Sequence, residues 1–150
     1  MIVNRLLYGV FAASCVLAAC SGTATSSCGS APPGAPVSLS LVYPIAGAAN
    51  VPVTLGEVIF AGSPGGATLY VRSPVAPVAL GSPTPASSPF PTPFATPSNM
   101  TGDVPYFQVS VPTLATTTTY SVSYVYSEFN GIPPACYGPV TVKLGSFTTQ

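Results

Sequence analysis

Four cysteines and no histidine set most of the chemistry open to this chain of 150 residues. Nucleophilic catalysis of the Ser-His or Cys-His kind needs an imidazole base, and none exists here. Three carboxylates are present, Glu57, Asp103 and Glu128. A glycosidase-type pair would need two of them across a cleft. Asp103 instead follows Gly102 near the start of a strand signal, and Glu128 lies beside a hairpin signal, where solvated carboxylates are expected. Calcium would need an Asp-rich run, and zinc would need more than these thiols. The sequence therefore predicts no catalytic residue, no metal site and no cofactor. With three basic residues against three acidic ones, no basic patch exists to bind nucleic acid or to hold anionic lipid by charge.

What chemistry remains lies with the cysteines, and the segments around them decide it. Met1 to Arg5 is a weakly positive start, and Leu6 to Ala19 is an apolar run too short to span a bilayer. Cys15 sits inside that run. Leu17-Ala18-Ala19-Cys20 closes it and resembles the lipobox of bacterial lipoproteins: an aliphatic residue, two small ones, then cysteine. The resemblance implies that residues 1–19 are a signal peptide and that Cys20 becomes the first mature residue. Its thiol would then carry diacylglycerol, and its new amine would usually be acylated, with palmitate-like chains. Two or three chains give stable attachment at about 0.8 kcal/mol per buried CH₂. Ser21 after the cysteine resembles the outer-membrane sorting pattern of enterobacterial lipoproteins. An ordinary secretory signal, or an uncleaved anchor, is the alternative.

On that resemblance Cys15 is discarded and Cys20 is lipidated, which leaves Cys28 and Cys136, 108 positions apart (136 − 28). A remaining pair in an oxidising compartment is a disulfide candidate; two unpaired thiols are the alternative. The mature chain would keep Arg72 and Lys143 against Glu57, Asp103 and Glu128, a net charge of −1 (2 − 3). Residues 20–36 are the lipidated cysteine and a flexible Ser/Thr/Gly/Pro tether. Mean hydropathy is high at +0.54, yet after Cys20 no apolar run approaches a spanning length. The apolar residues are Val, Ala, Tyr and Phe broken by 19 Pro and 14 Gly, a composition that favours strands and turns.

Residues 37–150 accordingly read as one all-β domain. Val37 to Tyr43 alternates with period two, as a first strand does. Val51 to Leu55 returns to extended structure after a turn. Glu57 to Ala61 and Thr68 to Arg72 are clear strands. Val75 to Leu80 is a candidate fourth strand at an edge, shortened by Pro74 and Pro77. Residues 81–99 hold six prolines in alternation with small residues, together with Phe90 and Phe94. Such a stretch cannot join a central sheet and predicts irregular or polyproline-II-like chain. It is either a recognition or glycosylated loop carrying Phe90 and Phe94, or a crossover whose rings fold back onto the sheet; the second is favoured. Val104 to Val111 is a further strand. Tyr120, Val122, Tyr124 and Tyr126 then share one face of a half-buried strand, with serines on the other. A hairpin loop at Asn130–Pro134 leads to a final strand region, Tyr137 to Phe147, interrupted at Gly138-Pro139 and at Gly145.

Leu114 followed by Thr118 and Tyr120 resembles the tyrosine corner of fibronectin type III domains, with Thr116 where that family often has proline. Pro44 to Val53, Val58-Ile59-Phe60 and the closing Gly145-Ser146-Phe147-Thr148-Thr149 resemble bacterial immunoglobulin-like domains of surface proteins. The resemblance implies an immunoglobulin-like antiparallel β-sandwich of about seven strands. Such domains serve as spacers, adhesive modules or assembly parts. The expectation is a non-catalytic lipoprotein of the bacterial cell envelope, held in the outer membrane by covalent lipid, whose domain meets other envelope proteins. The alternative is a carbohydrate- or ligand-binding module that stacks ligands on exposed aromatics.

Overall fold

The computed structural model describes residues 27–30, 38–97 and 103–150. The signal segment, Cys20 and most of the tether lie outside these residues. Among the described residues seven strands form two antiparallel sheets. They are β1 (Ser40–Tyr43), β2 (Glu57–Ala61), β3 (Thr68–Arg72), β4 (Thr84–Pro85), β5 (Tyr106–Ser110), β6 (Thr119–Phe129) and β7 (Tyr137–Thr148). One sheet runs β1-β2-β5-β4 and the other β3-β6-β7. Four strands in one sheet and three in the other make an all-β sandwich.

Period-two patterning explains the inner faces. Leu39 and Leu41, Val58 and Phe60, and Val109 face Val71, Tyr120, Val122, Tyr124 and Phe147 in one buried cluster. The opposite face of the four-stranded sheet is also covered. Val42, Ile59 and Ala61 form a second small core beneath Ala86, Phe90, Phe94, Val104 and Tyr106. The Pro-rich stretch thus lies as a strap across the outer face. It is pinned by Ala86 N–H to Tyr106 C=O at 2.9 Å and Ala95 N–H to Val42 C=O at 3.0 Å.

The fourth strand is not where the sequence suggests. Residues 75–80 make only an isolated bridge between Pro77 and Arg72, and β4 falls within the Pro-rich stretch, against Gln108 and Phe107. The cause is local. Ser73 Oγ accepts from Val75 N–H at 3.3 Å and from Ala76 N–H at 3.1 Å, closing a tight turn directly after β3. Chain that reverses there folds onto the β3 edge, where Val78 N–H meets Val71 C=O at 2.8 Å. Thr84 and Pro85, at an edge, need only the pairing that a proline allows.

After Tyr43 the chain crosses from one sheet to the other. Gly47 N–H donates to Ser146 C=O at 2.7 Å and Val51 N–H to Thr148 C=O at 3.0 Å. The expected extended segment at Val51 to Leu55 is thereby reduced to one parallel bridge, Val51 with Thr149. Gly145 permits the approach, since a Cβ there would stand 2.7 Å from the Ala46 Cβ. It also marks a bulge: β7 is continuous through Gly138-Pro139, and its register against β6 slips only between Val122 and Ser123.

Candidate functional site

Strand order fixes which loops share a pole. β1 begins opposite the end of β2, since Ser40 pairs with Ala61, and β5 begins there too, since Tyr106 pairs with Ala61. The short connection 62–67 joins this end to the start of β3, beside the far end of β6. Gly62, with φ of +102°, lets the start of the domain pass close by, because a Cβ there would strike the Ser38 carbonyl. One pole therefore gathers the start of the domain, the 62–67 turn, the Ala86 end of the strap and the β6–β7 hairpin tip.

That hairpin projects. β3 pairs with β6 only as far as Val125, whereas β6 and β7 stay paired through Tyr126–Val140, Ser127–Pro139, Glu128–Gly138 and Phe129–Tyr137. Its tip is built from backbone bonds. Asn130 N–H donates to Cys136 C=O at 2.9 Å, Cys136 N–H to Ile132 C=O at 2.9 Å, and Ile132 N–H to Asn130 Oδ1 at 2.9 Å. A disulfide joins Cys136 to Cys28, with Cα atoms 5.5 Å apart. The tether is thus stapled to the tip. Beside the bridge, Ile132 is 66% exposed and Tyr137 46%, with the Phe129 ring edge-on to Tyr137 at 5.5 Å. The sequence marks Cys136, and Tyr137 as an aromatic whose exposure would favour ligand stacking, but not Ile132 or Phe129; the only signal for those two is that 129–137 contains no charge.

The other residues singled out from sequence fall elsewhere. Phe90 and Phe94 stack on each other at 4.5 Å and 7° and lean on Tyr106 at 5.0 and 5.5 Å. Both are half-buried. At the opposite pole Leu114 is buried, and the Tyr120 hydroxyl oxygen accepts from Ala115 N–H at 2.8 Å. Thr149, which enters the sequence reading only as the last residue of the closing motif, completes that corner. Its hydroxyl donates to Ala115 C=O at 2.6 Å and accepts from Thr118 N–H at 3.0 Å. Cys20 lies outside the described residues.

No acid–base constellation appears among the described residues. Glu57 starts β2, Asp103 precedes β5, and Glu128 is on the hairpin stem, and no group of three metal-ligating side chains occurs among these residues. Arg72 lies over the Tyr70 ring at 4.7 Å. On the inner face, burial pushes the Tyr124 phenol up, the neighbouring Tyr126 adds to this, and a hydrogen bond with the Leu39 backbone opposes it. A cavity of about 180 Å³ beside Tyr43, Ile45, Val51 and Pro93, and another of about 290 Å³ beside Leu69, Leu80 and Val109, have no charged lining. Both are below the usual ligand-pocket range of roughly 300–1,000 Å³. Among the described residues no helix is long and apolar enough to cross a membrane. Comparison with protein-family models, with curated proteins and with solved structures gives no match to this chain.

Proposed function

We propose that this chain is a non-catalytic lipoprotein of the bacterial cell envelope, anchored through Cys20, with an immunoglobulin-like domain that serves structure or protein interaction. The observation that carries the reading is Leu17-Ala18-Ala19-Cys20 at the end of a short apolar run. The Cys28–Cys136 disulfide supports it, because such bonds persist outside the reducing cytoplasm. So does the strand order, which suits a spacer or assembly module. The outer membrane is the proposed address, from Ser21 after the lipidated cysteine. A glycan-stacking role is the weaker reading: the exposed Tyr137 favours it, but Phe90 and Phe94 turn their faces onto each other and Tyr106. The test is the intact mass of protein extracted from the membrane fraction. The expected mass begins at Cys20 and carries acyl chains, and Cys20→Ala leaves unlipidated precursor. A lipid-free mature mass, or membrane-bound mature protein in the Cys20→Ala strain, overturns the reading.

A further inference from the structure

We propose that the β6–β7 hairpin tip, Asn130 to Tyr137, rests in the headgroup layer of the membrane that holds Cys20, and that the Cys28–Cys136 bridge holds the tip there by shortening the tether to its pole. The proposal rests on the lipidation reading above and goes beyond it, from attachment to orientation.

Chain length is the first ground. From position 20 to position 28 is eight residue steps, at most about 29 Å when fully extended. Without the bridge the first strand residue is Ser40, 20 steps away and up to about 72 Å from the lipid. The disulfide therefore more than halves the reach and moves the attachment point onto the hairpin itself. A domain held only through β1 could stand well off the surface, whereas one held by Cys136 keeps its hairpin beside the headgroups.

Surface chemistry is the second ground, and it is independent of the first. Among the described residues the large hydrophobic side chains most exposed are Val75, Ile132 and Tyr137. Two of the three flank Cys136 on the tip, with exposed Pro133 and Pro134 between them. No charged residue lies from Asn130 to Tyr137, and the carboxylate closest in sequence, Glu128, sits on the stem opposite Gly138. A ring with a polar hydroxyl beside an aliphatic chain and prolines suits the interfacial layer, where tyrosine collects. Val75 follows Arg72, which pairs with Ser121 near the start of β6, so it belongs to the opposite pole.

The chain contains no tryptophan, so one introduced residue reports alone. Ile132→Trp and, as a distal control, Val75→Trp would be purified as lipidated protein and reconstituted into phosphatidylethanolamine/phosphatidylglycerol vesicles containing brominated acyl chains. Emission of the Ile132→Trp protein is expected to shift to the blue and to be quenched several-fold more than that of Val75→Trp. Adding Cys28→Ser and Cys136→Ser should leave the protein on the vesicles while lowering the Ile132→Trp quenching to the control level. Vesicle-bound protein with equal quenching at both positions overturns the orientation and leaves the anchor standing. A blue shift without bromolipid quenching also overturns it and assigns the tip to a protein contact such as a second copy. Protein without lipid that fails to join the vesicles overturns both readings.

Discussion

At the scale of single residues, the pole distal to the tether is held by a hydroxyl that pattern reading does not single out. Thr149 is 2% exposed, the one buried polar side chain among the described residues. Its Oγ1 satisfies Ala115 C=O and Thr118 N–H, while Tyr120 takes Ala115 N–H. Thr149→Val keeps the shape and strands both backbone groups, so a loss of about 2 kcal/mol is expected. Thr148 is the built-in comparison: its hydroxyl meets only the exposed Thr119 hydroxyl, at 2.9 Å. Thr148→Val should stay within about 0.5 kcal/mol of the parent. Urea midpoints of the two variants decide the matter, and equal losses would show that Thr149 is not a corner pin. The sequence could not say which of the adjacent threonines points inward. Val142 and Leu144 pack toward the core on even positions, but the bulge beside Gly145 shifts the count, and Phe147 and Thr149 are the inward residues after it.

At the scale of elements, the strap separates a packing role from a recognition role. Phe94 stacks on Phe90 and leans on Tyr106 above Val42, Ile59 and Ala61. A fully buried Phe→Ala change costs about 3–5 kcal/mol, and a half-buried ring should cost about 2 kcal/mol. Phe94→Ala is therefore expected to lower the unfolding free energy by that amount and to speed hydrogen exchange at the Ala95 amide, whose acceptor is Val42 C=O. Unchanged stability and exchange would mean that the strap is a free loop. How far the elements were legible follows from the same physics. Glu57–Ala61 and Thr68–Arg72 could be read to the residue because each is a short run of β-branched, aromatic and aliphatic residues bounded by turn signals, which is a local signal. The strap could be read only as non-strand, with its rings favoured to fold back. What it covers depends on an outer face that Val42, Ile59 and Ala61 make apolar only once β1 and β2 are paired. The misplaced fourth strand has a similar origin, since the Ser73 turn reverses the chain before Val75 can extend.

At the scale of the whole molecule, the sequence offered two leftover cysteines but not the pole they would occupy, which depends on strand order. The bridge spans 108 positions, so its main expected effect is on the unfolded chain, where it closes a loop around nearly the whole sandwich. The chain-entropy model gives about 4.7 kcal/mol for a loop of roughly 100 residues, and measured values are commonly about 2–4. Within the folded domain the bridge holds little that is not held already. The tip has its own backbone bonds, and β6 and β7 pair in register up to Phe129–Tyr137. Replacing both cysteines by serine should therefore reduce the unfolding free energy by about 3 kcal/mol. It should also steepen the dependence on urea, because the opened unfolded chain exposes more surface. Exchange protection of the β2, β5 and β6 amides that open below global unfolding should remain as in the parent. If stability fell with no change in slope while those amides lost protection, the bridge would be acting as a native-state brace, and the tip would depend on it for its shape. The expected pattern, a looser unfolded state around an unaltered sandwich, leaves the bridge with one structural task in the folded molecule: fixing the end of the tether to the hairpin.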